Sequence, residues 1–185
     1  MLPPRLQERL TQICLERHLS LVEHFVIDVE SGYQADPAIV RLLVTSLHNQ
    51  VMEFGENIIT KGQPVTGVIF IKEHSVTVLG ILDSVRLLDF HETGFIGEWE
   101  VIFDKNAERS YVATNAHEFP SISTQYYFIK PHDFTSILNE FEEFDKFQRT
   151  RAIRRRAYIR YLEQEVQDEI YNYHHKQANN MFNDS

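Results

Sequence analysis

The stretch GFIGEWEVIFDKNAERS, residues 94–110, uses two of the chain's 7 glycines around Phe95 and Ile96. It then separates a carboxylate, Glu98, from a guanidinium, Arg109, by a short apolar run. A buried ion pair, a tight turn and an anion site all have this form. The segments on either side narrow the choice.

From Val51 to about Lys130 short apolar runs alternate with turn signals. VMEF ends at Gly55, NIIT at Gly62, VIFI at KEHS, VTVLGIL at Asp83 and VRLLDF at HETG; SYVATNA and ISTQYYFI follow Arg109. Strands of this length and spacing predict an antiparallel sandwich or barrel, with the segment from Glu98 to Phe103 as a turn-length helix inside it. The flanks read as helix. Leu2, Leu6, Leu10 and Ile13 share one face, and Pro3 and Pro4 suit a helix start over residues 2–25. AIVRLLVTSLHNQ (38–50) is a second helix, after the loop-like DVESGYQADP. Beyond Pro131, HDFTSILNEFEEF predicts a helix with Asp133 as its N-cap. Residues 145–175, without Gly or Pro, predict one extended helix.

The expected fold is therefore α+β. An antiparallel β-roll, jelly-roll-like, spans 51–130. N-terminal helices occupy 1–50, C-terminal helices 131–175, and a polar, flexible tail 176–185.

Composition removes several function classes. At 185 residues and 43% hydrophobic content the chain can bury a real core. A net charge of −9 opposes general nucleic-acid binding. The single cysteine, Cys14, precludes an internal disulfide and fits a reducing, cytoplasmic compartment. No apolar run approaches the ~18 residues of a membrane span, and MLPPRLQERL lacks the apolar core of a signal peptide.

FGENIITKGQPVTGVIFIKEHSVTV resembles the opening strands of a cyclic-nucleotide-binding domain: an aromatic, Gly-Glu, an isoleucine, a second Gly, then an apolar strand into a hairpin. GFIGEWEVIF…ERS resembles that family's phosphate-binding cassette, which runs Gly, aromatic, Gly-Glu, a short helix, then Arg and a small residue. LPPRLQERLTQICLERHLSLVEHF resembles the end of the linker preceding this domain in cyclic-nucleotide-gated, hyperpolarisation-activated and ether-à-go-go-type channels. The resemblance covers roughly residues 2–165.

It implies a ligand, cAMP or cGMP, and no other cofactor. Gly97 would leave room for the phosphate. Glu98 would accept from the ribose 2′-hydroxyl, Arg109 would bind the phosphate as a forked cation, and Ser110 would reach the phosphate or a syn purine. Trp99 and Glu100 complete the cassette. The long C-terminal helix would be a lid, with Ile153 and Arg156 as base contacts. The implied protein is a non-catalytic sensor on the cytoplasmic side of a channel or transporter, with its N-terminal helices as a route to oligomerisation. The runner-up is a nucleotide-independent homology domain serving assembly.

Three positions depart from the family pattern. His74 stands where a hairpin glycine is usual. Glu100 replaces a small residue and would repel a phosphate if it faced inward. DKNAE lengthens the approach to Arg109 and puts Glu108 in place of a common proline.

The run RTRAIRRRAYIRY (149–161) is most simply a solvated helix face; pairing with acidic segments such as NEFEEFD, or contact with anionic lipid or phosphate, are its other readings. The adjacent His174 and His175 lack metal-ligand spacing. No nucleophile-elbow, P-loop or zinc-protease context accompanies any Ser, His or Asp.

Overall fold

The computed structural model describes residue 3 and residues 18–71, 76–80, 86–89, 94–114 and 123–183, with residues 86, 89, 123, 124 and 174–183 described by backbone alone. The predicted helix over 2–25 thus lies largely outside the described residues, as does His74. Its visible end is α1 (18–26). There Leu21, Val22, Phe25 and Val26 are buried, a one-sided helical pattern.

The segment read as a loop holds a small hairpin, β1 (Ile27–Asp28) with β2 (Tyr33–Gln34). The Asp28 carboxylate accepts from Ser31 Oγ at 2.7 Å and the Glu30 amide at 3.2 Å across its turn. Helix α2 (Pro37–Thr45) starts at Asp36, whose side chain accepts from the Ala38 amide at 2.7 Å, with Pro37 as the first helical residue. It stops earlier than its periodicity predicts. His48, Asn49 and Gln50 belong to β3 (His48–Glu53), because they pair with β10 (Ser123–Ile129).

Among the described residues, the remaining strands are β4 (Asn57–Ile59), β5 (Val68–Ile71), β6 (Val76–Leu79), β7 (Arg86–Asp89), β8 (Gly94–Ile96) and β9 (Tyr111–Ala113). They form two four-stranded antiparallel sheets, ordered β3-β10-β5-β8 and β4-β9-β6-β7. Strand β5 shows why VIFI is apolar throughout. Its alternate residues face opposite sides, and both sides are covered. Val68 and Phe70 join a helix-facing core around Phe25, while Ile69 and Ile71 join a second core with Ile58, Val78 and Tyr111. Phe95 and Ile96 of β8 divide in the same way.

Helix α3 (Glu98–Phe103) interrupts the strands as predicted. Helix α4 (Pro131–Glu140) is entered through Lys130 rather than Asp133, which sits inside the first turn. No side chain caps this end; the proline at the first helical position removes one of the amides that would otherwise need a partner there. The extended helix is longer than expected: α5 runs over Glu142–Asn183.

The root of α5 is fixed firmly. Phe144 and Ala152 are fully buried. Gln148 Nε2 donates to the Phe25 carbonyl at 2.8 Å, and Arg151 donates to the His24 and Phe25 carbonyls, each at 2.8 Å. Arg151 also lies over the rings of Phe95, Phe25 and Phe147, 4.4 to 4.9 Å from their centroids. Burial lowers its pKa to about 10. These contacts clamp α5 to the C-terminal end of α1, whose last carbonyls would otherwise lack donors. Among the described residues, no helix is long and apolar enough to cross a membrane.

Candidate functional site

Gly97 turns the chain from β8 into α3 with φ of 83°, and a Cβ there would stand 2.6 Å from the Gly67 carbonyl oxygen. Only glycine meets both demands. The turn carries Glu98 and Glu100 into the interior, at 5% and 6% exposure. At the far end Asp104 leaves α3 in the left-handed region, φ 50°. The DKNAE insertion is then tied down by two backbone bonds: Gly62 amide to Ala107 carbonyl at 2.8 Å, and Ala107 amide to Gln63 carbonyl at 2.9 Å. This brings Arg109 in at 5% exposure.

Gly97, Glu98, Trp99, Glu100 and Arg109 line one cleft against α5, together with Glu108. Ser110 is not part of it. That residue is buried on β4's side, its hydroxyl accepting from the Lys61 amide at 3.2 Å. Ile153 is not part of it either, being 52% exposed on the outer face of α5. Successive helical residues point about 100° apart, so Ala152 faces in while Ile153 faces out. Ala152 and Ile159 are the aliphatic residues that α5 gives to the cleft. Arg156 does face the cleft, with its guanidinium 4.2 Å from the Trp99 ring centroid.

Side chains of α5 fill the cleft. Arg155 Nη1 donates to Glu98 Oε1 at 2.6 Å, and its Nη2 to the Phe95 carbonyl at 2.7 Å. Arg156 Nε bridges both oxygens of Glu108 at 3.0 and 3.1 Å, and its Nη2 also bonds that carboxylate. Glu163 accepts from Arg109 Nη2. The space left is about 20 Å³, room for a water and far below the ~300–1,000 Å³ of a ligand pocket. Beside it an open groove of about 590 Å³ is lined by Lys61, Glu108, Arg109, Arg160, Glu163 and Gln164, among others.

Electrostatics follow from burial. Burial raises the Glu100 carboxyl to about 7, assisted by the charges of Glu98 and Glu108. The side chain faces the cleft, as the repulsive alternative required, yet it is partly protonated at neutral pH. Burial alone would lower the Arg109 pKa, but the hydrogen bond and charge of Glu163 outweigh it and the net direction is upward. The Glu108 pKa is lowered, chiefly by its bond from Arg156.

Arg155 and Glu163 were not singled out by sequence reasoning. The available signal was the arginine run itself. Arg151, Arg155 and Arg156 turn inward while Arg149, Arg154 and Arg160 are exposed, so only half of the run is the solvated face that the sequence reading favoured. Pairing with NEFEEFD also occurs, through Arg149 and Asp145 at 2.8 Å. Among the described residues, no His, Cys, Asp and Glu side chains gather as they would around a metal ion.

No protein-family model matches the chain, and no curated protein matches it in a sequence comparison.

Proposed function

We propose that this chain is a regulatory domain that senses a cyclic nucleotide, cAMP or cGMP, through a β-roll and a lid formed by α5. One observation carries the reading. The Gly97 turn brings a buried carboxylate, Glu98, and a buried guanidinium, Arg109, to one cleft beneath a long helix, and a nucleotide-sized groove adjoins Arg109. A cyclic phosphate needs a cation and a ribose hydroxyl needs an acceptor; this pair offers both. Partial protonation of Glu100 reduces the repulsion that a second ionised carboxylate would exert on the phosphate.

Nucleotide would reposition α5. The root is bonded to His24 and Phe25, so movement passes to α1 and the N-terminal helices, and from them to an attached channel or transporter on the cytoplasmic face of a membrane. The role is regulatory rather than catalytic: a two-state element biased by ligand contacts.

A second reading is favoured by the lid side chains already in the cleft. Arg155 on Glu98 and Glu163 on Arg109 are also what a nucleotide-independent assembly module would show.

Calorimetric titration of the full chain with cAMP and cGMP, beside Arg109→Ala, separates the two. A sensor binds saturably, and the variant loses about tenfold to hundredfold in affinity, the value of a charge-assisted bond of ~1.5–3 kcal/mol. Absence of heat at millimolar nucleotide, with no shift in melting temperature, selects the assembly module.

A further inference from the structure

We infer that Glu163 is a built-in competitor for the anion site, a lid carboxylate that holds Arg109 until an external phosphate displaces it. The inference rests on the nucleotide-sensing reading and adds how that site is regulated.

Four observations carry it. First, Glu163 comes from 54 residues away to bond Arg109, and both side chains are about 5% exposed. The carboxylate thus takes the position at the guanidinium that a phosphate would need. Second, the pair is incompletely satisfied. Arg109 Nε and Glu163 Oε1 are both buried without a hydrogen-bond partner, whereas arginine commonly offers two parallel N–H groups to a carboxylate or phosphate. A phosphate with several acceptor oxygens could engage the guanidinium more fully. Third, Arg109 and Glu163 both line the open groove, with Arg160 also on its wall. An anion can therefore approach the pair without passing through the protein interior.

Fourth, the opposing charges are exchanged in the same way at Glu98. Arg155 supplies there the donor that a ribose hydroxyl would supply. Displacement would leave neither site residue unpaired and would return Glu163 and Arg155 to water. The root of α5 stays bonded to Phe25 through Gln148 and Arg151 and carries the displacement to α1. Docking of the distal lid and binding of phosphate then compete for one arginine, and the affinity for nucleotide is reduced by the stability of the docked lid.

The test is calorimetry with cAMP on the full chain, on Glu163→Gln, on Glu163→Ala and on Glu163→Ala combined with Arg109→Ala. Amide hydrogen exchange over residues 157–167 is followed without ligand. The near-isosteric Gln variant guards against loss of fold, which a thermal melt reports. Both Glu163 variants should bind cAMP about tenfold to hundredfold more tightly, their α5 amides should exchange faster, and the double variant should lose the gain. Binding first seen only after Glu163 is removed supports the competition at Arg109 while overturning the sensing reading for the unaltered chain. If the unaltered chain binds in an Arg109-dependent way but the Glu163 variants bind no more tightly, Glu163 is not a competitor and the sensing reading survives. If none of the proteins binds cAMP or cGMP, both fall.

Discussion

Arg155 on α5 donates to Glu98 Oε1 at 2.6 Å and to the Phe95 carbonyl at 2.7 Å, so one guanidinium joins α5 to both the Glu98 carboxylate and strand β8 before it. The Glu98 side chain is 7% exposed and that of Arg155 27%. Arg155→Met would leave a buried carboxylate without its cation. Fully buried pairs cost ~3–5 kcal/mol when broken from one side, and partial exposure here reduces the expectation to about 2–3 kcal/mol. Adding Glu98→Gln should recover more than half of the loss. Urea denaturation of the two single variants and the double variant measures both values; additive losses would refute the coupling.

Stability should depend on pH through Glu100. Its folded pKa is raised to about 7 from 4.5, so the folded state holds the proton more tightly than the unfolded chain. This contribution is fully present below pH 4.5, declines as pH rises towards 7 and is lost above it. The difference corresponds to about 3 kcal/mol at most. Glu100→Gln should flatten the stability curve between pH 5 and 7 and raise stability at pH 8. Denaturation midpoints across that range provide the check, and an unchanged slope would exclude Glu100 as the titrating group.

Backbone space at the cassette turn is equally testable. A Cβ at Gly97 would meet the Gly67 carbonyl oxygen at 2.6 Å, and one at Gly67 would meet the Ile129 carbonyl oxygen at 2.1 Å. Neither obstacle is a movable side chain. Both alanine variants should lose about 2–4 kcal/mol, with Gly67→Ala the worse. Gly55 has φ of 88° but nothing within 4 Å, so Gly55→Ala should cost only about 1 kcal/mol. Thermal melts of the three variants should rank in that order.

The root of α5 should show shared satisfaction of one acceptor. The Phe25 carbonyl receives Gln148 Nε2 and Arg151 Nη2, each at 2.8 Å. Loss of either donor leaves the carbonyl paired; loss of both strands it in a buried setting. Gln148→Leu and Arg151→Met should therefore destabilise together by about 1 kcal/mol more than their sum. A double-mutant cycle in denaturant reads this directly.

Local order was legible from residue pattern. Alternation of apolar runs with Gly55, Gly62 and HETG marked strands, since side-chain direction and turn conformation depend on near neighbours. Pro131 marked the start of α4, and the absence of Gly and Pro after Asp145 marked α5. The Gly97 turn and the α3 interruption were visible in residues 94–110, whereas the burial of Glu98 and Arg109 was one of several readings those residues allowed. Where reading failed locally, a distant partner had decided: His48–Gln50 became strand because β10 pairs with them.

Residue order alone thus established an α+β chain with antiparallel strands, a glycine turn that admits close backbone approach, and a carboxylate and a guanidinium on either side of a short helix. Only the tertiary structure decided which charges meet. It turned Arg155 and Glu163 towards partners 57 and 54 residues away, moved Ser110 and Ile153 out of the cleft, and raised the Glu100 pKa. The reason is physical. Helix and strand preferences act over a few residues, whereas burial and ion pairing depend on how separate elements pack, and periodicity within one element does not encode that packing.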